Sequence, residues 1–411
     1  MMRRMWTRMT LSRSPNIKLL LILLFLSTSF LLTGCWDRRE VNDTALVLGT
    51  AIDKEKRGNI RLTIQILIPR AVSSGQTAGG GGGGGGDHQV LVRSAIGENM
   101  VDAASKLQTK FPRKIFWGHC KIYIFGEKLA KKGDIHKQID FLLRHPEPRE
   151  RAYLFVSDGK AKDLLTLQPP LERDVGEALR KLSEMHIGMN VTVKDFDQMV
   201  IGEAGAALLP LITKLPPMSR ENKEEAIAYI IGTAIFKKDK MVGRINTKVT
   251  RGLLWLRNET QVSAVTVSPK KGETISLDPT RQKTKLVPSI KNGKWKIFVK
   301  VYSEGTVVQD GSHLDIMSSS VTKKIEKELE ADIKRYINLS LKQVKKGMNV
   351  DVFGFADAFH RKYPKEWGKV KNQWDKVLPQ LDVKIDVKTR VRRPGLSTTP
   401  AGLKEKEVEK K

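Results

Sequence analysis

The residues with chemistry to offer are few, and the first is a thiol. Cys35 closes the run Leu32-Thr33-Gly34-Cys35, an apolar residue and two small ones ahead of a cysteine, the form of a lipobox. Small side chains let an extended backbone enter a signal peptidase cleft. A thiol so placed takes a diacylglycerol in thioether linkage before the chain is cut in front of it, and the amine freed by the cut can take a further acyl chain. Two acyl chains, at about 0.8 kcal/mol per buried methylene, hold a protein on a bilayer that a single chain holds only marginally. Cys35 is therefore the expected lipidation site, an S-diacylglycerol cysteine. A plain signal peptide with a chance cysteine would share the apolar run but not its register with the lipobox.

The other candidates do not converge. With Cys35 acylated, Cys120 has no partner in the chain, so no disulfide framework is expected. Lys114 to Phe125 reads as one buried strand, in which His119 and Cys120 point to opposite faces and can neither chelate one metal nor pair as nucleophile and base. A buried structural thiol accounts better for Cys120. The seven histidines are scattered without zinc-ligand spacing. The glycine run Gly79 to Gly86 is followed by Asp87-His88 and not by the Lys and Ser or Thr of a phosphate loop, so 73–87 reads as a flexible hairpin insertion. No catalytic residue, cofactor or metal is expected. A pair of carboxylates brought together by the fold, as in a glycosidase, is the enzymatic alternative that sequence alone leaves open.

The elements that position these residues begin with a leader. Arg3, Arg4, Arg8, Arg13 and Lys18 precede an apolar run from Leu19 to Leu26 that continues to Leu32, too short for a transmembrane helix of about 20 residues and ending at the lipobox. Residues 1–34 read as a lipoprotein signal peptide. The whole chain of 411 residues carries +28, and removing the five leader cations leaves +23 on a body of ordinary hydrophobic content, 40%. Such an excess suits nucleic acid, but a body exported across a membrane meets anionic lipid and wall polymer instead.

Past a polar tether, strands are expected at Ala45–Ile52, Ile60–Ile68 and Gln89–Ala95, and helices over Glu98–Lys110, Ile135–Leu143, Asp174–His186 and Asp195–Ile201, with a strand around Tyr153 and Phe155. This α+β module spans 35–216 and ends at Pro216-Pro217 and the charged stretch Arg220 to Glu225, which read as a linker. The second region, 217–394, divides into a β-rich 217–305 and a helical 306–394 closed by a strand. Its strands are Ala226–Phe236, Leu253–Leu256, Val262–Val267, Thr274–Leu277 and Trp295–Tyr302. A long helix from Ser318 carries Val321, Ile325, Leu329, Ile333, Ile337, Leu341 and Val344 on one stripe to pack on a sheet. Trp367 and Trp374 share a face of a further helix, Val383–Val391 is the last strand, and the basic tail 395–411 reads as disordered. The fold class is α+β and multidomain: mixed sheets packed with helices, and the long C-terminal helix against a β-sheet.

Taken in order, several segments resemble the Ger(x)C family, the lipoprotein C subunits of spore germinant receptors. They are Gly34-Cys35-Trp36-Asp37-Arg38-Arg39-Glu40 leading into Gly49-Thr50-Ala51-Ile52-Asp53; Gly118-His119 through Phe125-Gly126-Glu127 to Phe141-Leu142-Leu143-Arg144; Gly232-Thr233-Ala234-Ile235-Phe236; and Val352-Phe353-Gly354-Phe355 followed by Trp367 and Trp374. The resemblance covers nearly the whole mature chain. It implies a multidomain α+β lipoprotein on the outer face of the spore's inner membrane, working with a membrane-embedded A subunit and a transporter-like B subunit. Beside it, the leader, the charge and the scattered polar residues lead to the expectation of a non-enzymatic body that touches membrane lipid through Cys35 and meets anionic lipid or cortex polymer, not nucleic acid, with its basic surface. Only Cys35 carries over as a functional residue. The glycine insertion and the long basic tail depart from the family. The rival reading is an extracytoplasmic solute-binding lipoprotein, which calls for two similar α/β lobes where this chain has a β-rich second region.

Overall fold

Period-two strands and amphipathic helices sort the chain into two sheets with helices on their faces. The computed structural model describes residues 43–68, 90–133, 135–215, 226–260, 264–393, 395–397, 400–403 and 407–409, with 16, 19, 20, 22 and 23 of the leader. They belong to two units, Met1–Thr44 and Ala45–Lys411. In the first, the described leader positions are helical, and Leu19, Leu20, Ile22 and Leu23 are exposed. Cys35 and the insertion 73–87 lie outside the described residues.

The second unit opens with β1 (Thr44–Lys54), β2 (Ile60–Leu67), β3 (Val90–Gly97), α1 (Met100–Gln108), β4 (Lys114–Phe116), β5 (Ile122–Gly126), α2 (Glu127–Lys132), α3 (Ile135–Arg144) and β6 (Tyr153–Ser157). It continues through α4 (Val175–Glu184), α5 (Val193–Ile201), β7 (Ala206–Leu215), β8 (Ile227–Lys237) and β9 (Lys240–Asn246). Among the described residues these strands form one nine-stranded sheet in the order β3-β2-β1-β5-β6-β7-β8-β9, with β4 on β1. Its centre, β1, β5, β6 and β7, is parallel and its flanks are antiparallel. Parallel strands covered on both faces must be apolar throughout, and every residue of β5 is buried. The α3 spacing buries Ile135, Ile139 and Leu142 as a 3.6-residue period requires.

The rest of the chain supplies α6 (Thr247–Arg257), β10 (Val265–Val267), the long strands β11 (Thr274–Lys291) and β12 (Lys294–Gly311), and α7 (Ser319–Ser340), which runs into a π-helical stretch at Leu341–Met348. Then come α8 (Phe355–Lys362), α9 (Pro364–Val370), α10 (Trp374–Val377) and β13 (Asp382–Arg393), and the second sheet reads β10-β11-β12-β13. Val321, Ile325 and Leu329 of α7 pack against Val265, Ile275, Leu277 and Val307 of that sheet. Ile333, Ile337, Leu341 and Val344 enter a core shared with the first sheet and with Ile297 and Val299 of β12. Burying seven such side chains is worth roughly 15 kcal/mol of gross transfer energy, set against the entropy of ordering them.

The α+β class and the helix-on-sheet packing stand as the sequence implies, but several elements differ. Leu253–Leu256, expected as a strand, is the last part of α6: Asn246 accepts the Val249 N–H and starts a helix whose turns bury Val249, Leu253 and Leu256. Lys114–Phe125 is two strands broken by a turn, where the Cys120 N–H bonds the Trp117 carbonyl at 2.9 Å. Trp367 and Trp374 sit on separate short helices with a 3₁₀ turn between them. Thr274–Leu277 is only the start of an 18-residue strand. The first sheet runs on past 216–225, because β7 and β8 pair antiparallel from Ala206–Lys237 to Leu215–Ile227. The tail does not trail away entirely: the Glu409 N–H bonds the His313 carbonyl and the Glu409 carbonyl accepts the Asp315 N–H at 2.7 Å.

Candidate functional site

Cys120, the thiol that the structure does describe, lies in the turn before β5, where its Sγ is 3.3 Å from Thr50 Oγ1 and 3.2 Å from the Ile122 carbonyl. Burial pushes the thiol up to about 11, so it stays protonated and unreactive. Among the described residues no three His, Cys, Asp or Glu side chains gather as metal ligands would.

Buried polar chemistry concentrates on two carboxylates. Asp53, at the end of β1, accepts the N–H groups of Ala161 and Lys162 at 2.8 and 2.9 Å. It also crosses the neighbouring strand so closely that a Cβ on Gly126 would sit 2.1 Å from its Oδ1. Desolvation raises its pKa against the two backbone donors. Asp351 stands just ahead of α8. It accepts the N–H groups of Phe353, Phe355 and Ala356 and, at 3.1 Å, the indole N–H of Trp374. Gly354, with φ +83, turns the chain so that these amides face one carboxylate. Complete burial pushes the Asp351 pKa up while the four donors pull it down.

Beside Asp351 opens a cleft of about 1170 Å³, lined by the approach to α5 at Asn190 and Thr192, the end of α6 at Arg257 and Glu259, β11 at Lys285, and α8 at Asp357 and His360. Most of its polar groups are committed to its walls. Asp195 and Thr192 form the capping box of α5. The Arg257 guanidinium donates to Glu259 and to the Val352 carbonyl, each at 2.8 Å. Glu203 accepts the Trp367 indole N–H at 2.6 Å, and its other oxygen lies 2.8 Å from His360 Nδ1. Behind α8, Trp295, Phe359, Trp367 and Trp374 form an aromatic cluster, with Trp367 and Trp374 centroids 5.0 Å apart. The arrangement joins elements and offers contact surface; it contains no paired nucleophile and base.

Residues 37–214 match the family model described as spore germination protein N-terminal domain, and 231–395 that described as spore germination B3/GerAC like, C-terminal. Spore germination protein KC of Bacillus subtilis (strain 168) is 31% identical over 93% of this chain and 97% of its own length. The chain belongs to the Ger(x)C family of spore germination proteins. Spore germination protein B3 of the same organism is 24% identical over 88% of this chain and 94% of its own. GerQC of Bacillus cereus is 23% identical over 91% and 99%. The fold matches the crystal structure of the GerBC protein with a TM-score of 0.53 at 22% identity, covering 84% of this chain and 97% of that one.

In this Ger(x)C chain the described parts of the signature segments have structural duties. Gly49–Asp53 and Phe125–Gly126 meet at the Asp53 carboxylate, Thr233 pairs its hydroxyl with that of Thr250 at 2.9 Å in the core, and Val352–Phe355 with Trp374 surrounds Asp351. Asp351 itself was not singled out from sequence. The signal available was an aspartate four residues ahead of a helix, with a glycine between. Glu203 gave no local signal, since both partners lie more than 150 residues away.

Proposed function

We propose that the chain is a lipid-anchored subunit of a spore germinant receptor. The leader, 1–34, is removed, Cys35 carries the diacylglycerol, and modules at 35–216 and 217–394 with a basic tail at 395–411 work on the outer face of the spore's inner membrane. They present surfaces to a membrane-embedded A subunit and a transporter-like B subunit and do not catalyse. The observation that carries this reading is likeness to spore germination proteins KC and B3 along almost the full chain, with the N-terminal family model starting two residues after the lipobox cysteine. The cleft supports the non-catalytic part, because Arg257, Glu259, Glu203 and His360 are bonded to one another or to backbone and side chains of its walls. No helix among the described residues is long and apolar enough to cross a membrane.

Mass spectrometry of the native N-terminal peptide should show a chain beginning at Cys35 with a diacylglycerol adduct; an unmodified thiol or an intact leader overturns the anchor. Cys35→Ala should move the protein out of the spore membrane fraction and slow nutrient-triggered germination at least about tenfold, since a single residual contact set cannot replace two acyl chains. The solute-binding reading draws on the cleft alone. A rise in melting temperature with amino acids or sugars would favour it.

A further inference from the structure

The second sheet buries one face and leaves the other open, and the open face is basic. On β12, Ile297, Val299 and Val301 point into the core, while Lys296, Phe298, Lys300 and Tyr302 point out. Lys285 lies directly opposite Lys300, and Lys283 opposite Tyr302, whose neighbour on β13 is Lys388. Like charges facing each other across an antiparallel pair destabilise a sheet. On the other side of Lys300 the register places Asp386 of β13, a single acid against the cations Lys283, Lys285, Lys300 and Lys388. Two other acids of this face are engaged already: Asp382 lies 3.0 Å from Lys296, and Glu304 is held by Arg392 at 2.8 Å. Among these cations sit apolar groups. Phe298 is 36% exposed between Val287 and Lys384, with the Lys296 ammonium 6.0 Å from its ring, and Val308 is 58% exposed further along the strand.

We propose that this outward face of β11, β12 and β13 docks on the anionic headgroups of a bilayer. The proposal rests on the lipid-anchored reading, which brings the body beside a membrane, and adds the surface by which it lies there. A soluble polyanion would reward the cations alone. A headgroup layer rewards cations and an aromatic ring at the same depth, which is the mixture displayed around Phe298. Strands of 18 residues at about 3.3 Å each give an extended platform held rigid by the core beneath.

The test uses the leaderless chain 36–411, whose described core lies within Ala45–Lys411, and vesicles of equal parts phosphatidylglycerol and phosphatidylcholine. Sedimentation should show binding that is lost in high salt and absent on phosphatidylcholine alone. The triple reversal Lys283→Glu, Lys300→Glu, Lys388→Glu should weaken partitioning at least about tenfold. The reversal Lys323→Glu, Lys324→Glu, Lys327→Glu, on exposed positions of α7 and with the same change in net charge, should leave it within about threefold. Because Cys120 is buried, Lys300→Cys supplies an accessible thiol for an environment-sensitive dye, whose emission should shift to the blue on the anionic vesicles. Equal loss from the two triple variants, no blue shift, or retention by soluble polyglycerol phosphate without vesicle binding overturns the proposal. A bare Cys35 thiol together with intact vesicle binding would remove the anchor and leave this face standing.

Discussion

Asp351 is fully buried with four donors aimed at it, so removing it strands three amides and an indole. Asp351→Ala should cost about 3 kcal/mol by urea unfolding, as expected when buried donors lose their partner. Gly126→Ala should cost about 2 kcal/mol, because the new methyl overlaps the Asp53 carboxylate and the strand must shift. Glu177 acts in the opposite sense to the buried acids. Arg180 and Lys121 hold its pKa at about 2, below the ordinary 4.5. A carboxyl depressed on folding contributes stability that is present above about pH 4.5 and lost as pH falls toward 2. Glu177→Gln should therefore lower stability at neutral pH and flatten the acid limb of a stability-against-pH curve in that window, so that the two curves converge toward pH 2. Asp53 and Asp351, raised by burial, contribute stability at low pH that fades as pH rises through their folded values. At this scale the sequence displayed residue types but not their partners: the lipobox around Cys35 can be read as a motif because its context is contiguous, whereas Asp351 and Trp374 meet only after 23 residues of folded chain.

Among the elements, α6 and α7 are joined backbone to backbone. A Cβ on Gly252 would lie 1.9 Å from the Tyr336 carbonyl, and Ser340 Oγ donates to the Val249 carbonyl at 2.6 Å across the same crossing. Gly252→Val must part the helices and should lower stability by about 3 kcal/mol, read as a fall in the urea midpoint with unchanged slope. The same crossing explains the misread of Leu253–Leu256. Four consecutive apolar residues carry no period that separates strand from helix, and the glycine that permits the close approach lowers helix propensity just where a helix forms. The long stripe of α7 was legible because seven apolar positions repeat over more than six turns, and no strand alternates that way. The break between Trp367 and Trp374 was not legible: a spacing of seven suits one straight helix, and the 3₁₀ turn that replaces it still brings the two rings together.

On the scale of the whole molecule, the first sheet does not stop where the two family models meet. β8 and β9 lie beyond residue 216 and complete a sheet begun by β1, and Phe236 packs edge-on to Phe196 within the shared core. Separately expressed 37–214 and 231–395 should each be insoluble or lack a cooperative melt, while the joined chain 36–411 should melt in one transition; independent folding of either half would show that the shared core is dispensable. The boundary expected at Pro216-Pro217 falls outside the described residues, and the described strands on either side of it, β7 and β8, pair with each other. The pairing of β7 with β8 is fixed by register between separate segments, which local pattern does not encode.

The closing strand carries a mechanical consequence. β13 runs parallel to β12 through eleven paired positions, from Lys296–Asp382 to Thr306–Arg393. A pull along the strand from its C-terminal end loads those rungs together in shear, so the strand cannot be peeled off one bond at a time. Any neighbour that grips the far end of the polypeptide would therefore move the second sheet as a stiff lever before it could detach its last strand.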